Sequence, residues 1–314
     1  MIGGIMLIDK PQGLTSHDVV ARIRRILKIK AVGHAGTLDP MATGLLTIAV
    51  GKATKLITYL TNTTKAYECT IVFGQTTETL DGDGHLSSQK PLPPALIDEL
   101  TSPFPLPSDS FIERALTYER TRISQIPPAY SAIKINGKRA YARARCGEEF
   151  EIPARPVQMK HLEVLRKGIN PNPWIQLSIE VSKGYYVRSL ARDLSTALGT
   201  VGCLSQLRRT HVGPFQVSAA LPLETGNAAT LLTHLISIEE AAKQILTPLY
   251  LDEQHLAPLL HGRPLHADLI PAIQSAPVGT LYALFSPQET LLAIAAPQQN
   301  GNVQIFHRFG HTKS

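Results

Sequence analysis

The sequence predicts an α+β fold in which helices flank a large mixed or antiparallel sheet, followed by a small β-rich domain. Strand-like and helix-like segments are mixed without the strict alternation that a doubly wound parallel sheet requires. From about Leu246 onward, short strands are separated by turn residues. The chain has 314 residues, 43% of them hydrophobic, so it can bury a large core and a second, smaller one. We therefore expect a large domain at 1–245 and a small one at 246–314.

Local patterns predict the individual elements of both parts. Apolar runs and period-two alternation predict strands, and a face of apolar residues every three or four positions predicts helices. The predicted strands are Ile5–Ile8, Leu45–Val50, Tyr67–Phe73, Trp174–Val181, Thr280–Ser286, Thr290–Ala295 and Asn302–Phe306. The predicted helices are one capped by Thr15 or Ser16, a short one at Lys52–Leu60, and Val187–Leu198, ended by Gly199. The proline-rich stretch 91–107, with a short helix at Ala95–Leu100, predicts a surface excursion rather than core.

Composition narrows the setting of the protein. Lys and Arg number 31 against 25 Asp and Glu, a formal charge of +6 that fits a polyanionic partner such as nucleic acid but also suits many other proteins. The three cysteines, Cys69, Cys146 and Cys203, form no Cys-x-x-Cys pair, which argues against a disulfide framework or a zinc site. The first residues lack a basic leader, and no apolar run approaches the roughly 18–20 residues that span a bilayer. We expect a soluble, cytoplasmic protein, and a monomer because no heptad pattern is present.

Common motifs for nucleotide, metal and hydrolase chemistry fail on inspection. Asp81-Gly82-Asp83-Gly84 begins like a calcium loop, but its twelfth position is Leu92 where an EF-hand needs Glu. Gly51-Lys52 lacks the first Gly and the final Ser or Thr of a phosphate-binding loop. No Gly-x-Ser-x-Gly or His-Glu-x-x-His is present. The chemistry has to come from another arrangement of residues.

The segment Gly33-His34-Ala35-Gly36-Thr37-Leu38-Asp39-Pro40 carries the strongest candidate. An Asp before a Pro typically caps a helix that opens with the proline, and that structural alternative stands for Asp39. Four other segments change its interpretation. They are Asp9-Lys10-Pro11-Gln12-Gly13-Leu14-Thr15-Ser16, Gly51-Lys52-Ala53-Thr54-Lys55 with Lys65-Ala66-Tyr67, Ile126-Pro127-Pro128-Ala129-Tyr130-Ser131-Ala132-Ile133-Lys134 through Arg145, and Ser182-Lys183-Gly184-Tyr185-Tyr186-Val187-Arg188-Ser189-Leu190 with Leu207-Arg208-Arg209-Thr210.

In this order and spacing, over about residues 5–215, the five segments resemble the bacterial tRNA pseudouridine-55 synthases of the TruB type. The resemblance implies a pseudouridine-synthase-like fold and the isomerisation of uridine in the T-arm stem-loop of tRNA, without cofactor or metal. It also implies that Asp39 is the catalytic carboxylate. One ionised carboxylate can serve as nucleophile or base, whereas a glycosidase typically needs two. Whether Asp39 attacks C1′, adds to the uracil ring or removes the C2′ proton stays open.

The resemblance assigns further roles around Asp39. Arg188 should pair with Asp39 and hold the carboxylate ionised, Tyr67 should lie against the target base, and Tyr186 and Leu207 should complete the pocket. His34 matches a residue that fills the space left when the base is flipped out. Predicted RNA contacts, several of them in an insertion at about 122–153, are Lys55, Tyr130, Lys134, Lys138, Arg139, Arg145, Arg208 and Arg209.

Two features of the sequence depart from this pattern or match it only loosely. Cys203 stands where the family pattern has a His, which affects an expected RNA contact and not the reaction. The C-terminal part resembles a small RNA-binding barrel of the PUA kind only loosely. A rival hypothesis of another class is a non-catalytic RNA-binding or RNA-folding protein that keeps the same pocket. An assay for product separates the two.

Overall fold

The computed structural model describes residues 3–225, 227–260, 265–266, 276–277 and 279–309. Strands are numbered in chain order as β1 (Gly4–Lys10), β2 (Val32–His34), β3 (Thr43–Val50), β4 (Lys65–Phe73), β5 (Gln75–Thr77), β6 (Leu86–Gln89), β7 (Ser124–Gln125), β8 (Lys134–Ile135), β9 (Lys138–Arg139), β10 (Arg155–Pro156), β11 (Met159–Gly168), β12 (Trp174–Val181), β13 (Gly202–Val212), β14 (Phe215–Gln216), β15 (Leu221–Pro222), β16 (Ile236–Ser237), β17 (Thr247–Tyr250), β18 (Leu265–His266), β19 (Tyr282–Phe285), β20 (Leu291–Pro297) and β21 (Asn302–Arg308).

The helices are numbered in the same way, and 3₁₀ helices at Gly51–Leu56, Val217–Ala219 and Leu223–Thr225 stand between other elements. The α-helices are α1 (Ser16–Leu27), α2 (Ile57–Thr61), α3 (Pro94–Thr101), α4 (Phe111–Arg120), α5 (Ala140–Arg145), α6 (Val187–Ala197), α7 (Ala228–Thr233), α8 (Ile238–Ile245) and α9 (Glu253–Leu260).

One large sheet organises the fold. Among the described residues it has 10 strands, with the central order β11-β12-β4-β13-β3-β1-β15 and with β2, β14 and β16 added beside it. Most neighbours are antiparallel, while β13 with β3 and β1 with β15 are parallel. The predicted large mixed sheet with flanking helices is confirmed.

Side-chain patterns explain why these segments take these forms. In β12, buried and half-buried residues alternate strictly, as expected for a strand with one face on the core. In β3 nearly every residue is buried, because Leu46 and Ile48 join one core and Leu45 and Ala49 join another on the opposite face. Helix α1 starts at a capping box in which Thr15 and Asp18 satisfy each other's backbone amides.

The proline-rich stretch 91–107 lies mainly at the surface, as predicted, because most of its residues are exposed, but it also contributes to the core. Its helix α3 buries Leu96 and Leu100 completely or nearly so, and both join the main core with residues of α4 and the sheet. The prolines start and end the helix, with one at its first turn. Composition marked the helix ends correctly but carried no information about the apolar face between them.

A second sheet follows the large one. Its strand order is β17-β19-β20-β21-β18, and the three predicted strands correspond to β19, β20 and β21. Ala283, Phe285 and Ile294 from this sheet share a core with Ile5 and Leu45 of the large sheet. Residues 261–264, 267–275, 278 and 310–314 of the predicted domain 246–314 lie outside the described residues. In the described part of the chain, no helix has the length and apolarity to cross a membrane.

Candidate active site

Asp39 lies in the connection between β2 and β3. A turn follows it, in which the Ala42 amide donates to the Asp39 carbonyl at 3.1 Å, and β3 begins at Thr43. The helix-cap alternative is therefore wrong, because no helix starts at Pro40. The proline instead occupies the turn that leads directly into the strand.

The connection is fixed by hydrogen bonds along its length. The Ser16 hydroxyl accepts from the Leu38 amide at 2.8 Å and lies 3.1 Å from the Leu38 carbonyl oxygen. The Pro40 carbonyl accepts from the Gly13 amide at 2.8 Å and from the buried Lys10 ammonium at 3.3 Å. Residues on both sides of Asp39 are thus held by α1 and by the turn that precedes it. A carboxylate held this way needs little reorganisation before it acts.

Arg188, in the first turn of α6, pairs with Asp39 as the sequence predicted. Its Nε lies 3.0 Å from Asp39 Oδ2, and its Nη2 lies 3.4 Å from Oδ1. The Arg188 side chain is 7% exposed and that of Asp39 is 33% exposed. The buried guanidinium therefore orients the carboxylate from its protein-facing side, while part of the carboxylate remains exposed.

Arg188 also binds a second carboxylate, which the sequence analysis missed. Asp81 Oδ2 lies 3.5 Å from Arg188 Nη1, and the same nitrogen donates to the Thr79 carbonyl at 2.9 Å. Asp81 is 5% exposed and accepts from the Thr79 hydroxyl at 2.6 Å. It belongs to the Asp-Gly-Asp-Gly stretch tested above as a calcium loop. The acidic stretch was the sequence feature that could have indicated Asp81. In the structure, Asp81 holds Arg188.

The electrostatics of Asp39 differ in one respect from the expectation. Burial raises the pKa of the Asp39 carboxyl above its ordinary value, and the negative charges of Asp81 and Asp83 act in the same direction. The positive charges of Arg188 and Lys10 oppose this shift and lower the pKa. Arg188 favours the ionised form as predicted, but the net direction is upward because burial is the largest effect.

Two predicted pocket tyrosines lie on β4 and directly before α6, the helix that carries Arg188. Tyr67 is half-buried on β4, packs against the main core, and stands opposite Ile179 in the register with β12. Tyr186 directly precedes α6, and burial raises the pKa of its phenol. The Tyr186 backbone is fixed by the buried Gln125 side chain, whose oxygen accepts from the Tyr186 amide at 2.9 Å. Gln125 is not among the residues that the sequence predicted for the site.

Leu207 and Arg208 line a cavity of about 290 Å³ that also touches Met41, two residues beyond Asp39. Its other lining residues are Gln12, Thr43, Glu68, Thr70, Gln176, Ser205 and Gln206. Leu207 is thus an apolar part of a largely polar wall. The Arg208 guanidinium is held by Asp9, with contacts of 2.7 and 3.0 Å, and its side chain is 41% exposed.

His34 ends β2, five residues before Asp39. Its ring makes an edge contact with that of His17 in α1, with 5.4 Å between the ring centroids. Burial lowers the pKa of His34, and the neighbouring charges of His17 and Arg209 act in the same direction. These effects favour the neutral form of the half-buried ring.

The insertion at about 122–153 presents most of its predicted RNA contacts to solvent. Lys134, Lys138 and Arg139 are exposed on the hairpin β8–β9, and Arg145 is exposed at the end of α5. The insertion reaches the site through Tyr130, whose carbonyl accepts from Arg188 Nη2 at 2.9 Å. Arg188 thus contacts the insertion, Asp39 and Asp81 at once.

Two other predicted RNA contacts make hydrogen bonds within the protein, Lys55 while remaining exposed and Arg209 while buried. The Lys55 ammonium donates to the Arg308 carbonyl at 2.6 Å and lies over the Phe309 ring, 5.3 Å from its centroid. Arg209 is 1% exposed, so its prediction as a surface contact was wrong. Strand alternation places its side chain on the face of β13 opposite that of Arg208.

Cys203, which replaces an expected His, is buried at the start of β13, and burial raises the pKa of its thiol. It lies within the large sheet and is 4% exposed. All three cysteines are free thiols, with Cys69 also buried and Cys146 exposed. In the part of the chain that the structure describes, no group of three or more His, Cys, Asp or Glu could hold a metal ion.

Comparisons with known proteins identify the family and support the fold. Residues 24–187 match the model of the TruB family pseudouridylate synthase N-terminal domain, and residues 188–253 match that of the tRNA pseudouridylate synthase B C-terminal domain. The tRNA pseudouridine synthase B of Leifsonia xyli subsp. xyli is 42% identical over 297 residues, covering 94% of this chain and 93% of that protein. The protein of the same name from Arthrobacter sp. is 38% identical over 302 residues, covering 94% and 93%.

Among solved structures, that of a Cbf5-Nop10-Gar1 complex superposes with a TM-score of 0.70 at 24% identity. The match covers 97% of this chain and 84% of that one, and at this identity it supports the fold alone. The sheet, the carboxylate–guanidinium pair and the family matches define a pseudouridine synthase class of protein. The chain belongs to the TruB family of pseudouridylate synthases.

Proposed function

We propose that the protein isomerises uridine to pseudouridine at position 55, in the T-loop of tRNA, with Asp39 as the catalytic carboxylate. The observation that carries the proposal is the bidentate Arg188–Asp39 pair in a rigid connection, with the carboxylate partly open. The names of the curated relatives support tRNA as the substrate class.

The reaction breaks the N1–C1′ bond of uridine, turns the uracil and joins C5 to C1′. C5 loses a proton and N1 gains one, so the change is redox-neutral and consumes no water. A carboxylate supplies what the glycosidic step needs in each route left open: attack on C1′, addition to the uracil ring, or removal of the C2′ proton. Each route requires an ionised Asp39, which Arg188 and Lys10 favour against the effect of burial.

Access to Asp39 requires the uridine to leave the RNA stack. Flipping costs a few kcal/mol, which stacking and hydrogen bonds in the pocket have to offset. In our proposal Tyr67 lies against the extruded base, Tyr186 and Leu207 bound its pocket, and His34 occupies the vacated space. The exposed cations of the insertion bind the phosphates of the stem-loop.

Further expectations belong to the same proposal. We propose that the protein acts in the cytoplasm as a monomer, without a cofactor or metal. Residues 1–245 would form the catalytic domain, and residues 246–314 a PUA-like RNA-binding domain. The rival function is an RNA-binding or RNA-folding protein that keeps the pocket. The contacts that arrange Asp39 disfavour it, since binding alone does not need a carboxylate oriented by a buried guanidinium.

Incubation with a T-arm stem-loop RNA, followed by pseudouridine-specific detection, tests the proposed function. We expect conversion of one uridine in the loop, and no conversion in a matched RNA in which cytidine replaces that uridine. RNA binding is measured in parallel. Stable binding without any product would reject the enzyme and favour the RNA-binding alternative.

Neutralising the insertion should weaken RNA binding. In the triple variant Lys134→Gln, Lys138→Gln, Arg139→Gln, we expect the slope of log affinity against log salt to fall by about one for each phosphate that the variant no longer binds. Titrations of the stem-loop at several salt concentrations measure the slope. Lys243→Gln, which removes one charge on α8, serves as the control. An unchanged slope in the triple variant would remove this hairpin from the interface.

The activity should fall in acid as Asp39 becomes protonated. Because burial, Asp81 and Asp83 raise the pKa of Asp39, the fall should begin at a higher pH than for an ordinary carboxyl. Asp81→Asn removes one of these negative charges and should lower the pKa of Asp39. The acid limb, which is the part of the pH profile where the single-turnover rate falls in acid, should therefore move to lower pH. Rates measured between about pH 4 and pH 8, with folding and RNA binding checked at each pH, test this. A limb that moves to higher pH would contradict the assignment.

A further inference from the structure

We propose that Arg209 is a positioning residue for Asp39, and that it acts by tying together the two ends of the connection that carries this carboxylate. The inference rests on the proposed function. Its starting point is the burial of Arg209, which leaves the guanidinium no route to a bound RNA.

The Arg209 guanidinium makes three hydrogen bonds to backbone carbonyls among the described residues. Nη2 donates to Gly36 at 3.0 Å and Nη1 to Thr37 at 3.4 Å, both just before Asp39. Nε donates to Leu45 at 2.8 Å, in β3 just after it. One rigid planar group thus fixes the chain on both sides of the carboxylate.

The backbone is shaped to admit this contact. Gly44 has φ +98°, and a Cβ there would lie 2.3 Å from the Arg209 carbonyl oxygen. Gly36 has φ +101°, and a Cβ there would lie 3.5 Å from Arg209 Nη1. Both conformations are ones that residues with side chains rarely adopt. The connection therefore closes tightly around β13 and its arginine.

A buried charge is expensive unless it is well hydrogen-bonded, so an arginine at this position needs a reason. Lysine would retain the charge, but its ammonium is a point charge that cannot reproduce a fork reaching three carbonyls along separate directions. The geometry points to alignment of the connection, and through it to the distance between Asp39 and the reacting ribose or base. A misplacement of about 1 Å can cost about 100-fold in rate.

Arg120 in α4 provides a matched control outside the site. Its Nε also donates to a backbone carbonyl, that of Leu162 at 3.2 Å, and its guanidinium pairs with Glu113. Arg209→Lys and Arg120→Lys make the same chemical change, at the Asp39 connection and away from it. Single-turnover rates at saturating stem-loop RNA separate the chemical step from binding, which is measured as a separate Kd.

We expect Arg209→Lys to lower the single-turnover rate by about 100-fold and to change the Kd by less than about threefold. Its acid limb should also move to higher pH, because an Asp39 that drifts from Arg188 loses its main stabilising charge. Arg120→Lys should leave the rate within about threefold of wild type. If Arg209 only stabilised the fold, its substitution would lower the melting temperature. The acid limb of the pH–rate profile, measured on the folded protein, would then stay at its wild-type pH.

A wild-type rate in folded Arg209→Lys overturns the inference, as does a loss of RNA affinity with a normal rate in the bound complex. If Arg209→Lys does not fold, Ser16→Ala decides, because it releases the same connection at Leu38. A reduced rate at unchanged Kd supports the inference, and a wild-type rate overturns it. If the wild-type protein forms no product, the proposed function is rejected. If the wild-type protein is active and the variants are as active, only the positioning role of Arg209 is rejected.

Discussion

Replacing Asp39 by asparagine should abolish pseudouridine formation while leaving RNA affinity within about tenfold of wild type. The amide has the shape of the carboxylate but cannot act as nucleophile or base, so the rate should fall by a factor on the order of 10⁴ or more. Binding depends mainly on the exposed cations of the insertion and on stacking in the pocket. Single-turnover conversion and a direct binding titration on the same stem-loop measure both quantities.

Asp9→Asn is the control for Asp39→Asn. It makes the same change at a carboxylate that pairs with Arg208 instead of Arg188, and it should retain most of the activity. Product formation by Asp39→Asn near the wild-type rate would remove Asp39 from catalysis. Collapse of affinity together with folding would assign Asp39 a structural role in its connection.

Replacing Arg188 by lysine should lower the rate by about 100- to 1000-fold. Arg188 contacts both Asp39 oxygens, Asp81 and the Tyr130 carbonyl, and an ammonium cannot satisfy these partners together. The carboxylate would lose its orientation, and its pKa would rise further as the guanidinium is removed. The acid limb of the rate should therefore move to higher pH, with the rate at its plateau still reduced.

Arg192→Lys, on the same helix one turn later, is the matched control for Arg188→Lys. Arg192 donates to the Ile126 carbonyl, at the base of the insertion, and its side chain is 32% exposed. We expect a rate within about threefold of wild type for this control. Equal losses in the two variants would show that anchoring the insertion, and not orienting Asp39, explains the effect of Arg188.

The sequence predicted those features that depend on local pattern. The alternation in β12 and the apolar run in β3 identified two strands of the sheet, and Thr15 marked the start of α1. The Arg188–Asp39 contact was predicted from a resemblance, because nothing in local pattern relates two residues so far apart in the chain. The roles assigned to these residues in catalysis remain a prediction.

Features that depend on tertiary contacts were missed or mistaken. Asp81 reaches Arg188 only because its turn packs beside β13, where Leu204 donates to the Leu80 carbonyl. Lys55 is engaged by β21, a strand from the far end of the chain. Arg209 looks identical to Arg208 in sequence. The period of two in a strand could have placed them on opposite faces, but not shown that one face is closed by the Asp39 connection.

Position-resolved mapping of pseudouridine in a complete, unmodified tRNA transcript tests the central claim most directly. After incubation with the wild-type protein, we expect one new pseudouridine, at position 55 in the T-loop, and none after incubation with Asp39→Asn. Modification at a different position would contradict the proposed substrate site. Saturated binding of the tRNA with no pseudouridine at any position would contradict the proposal that the protein is an enzyme.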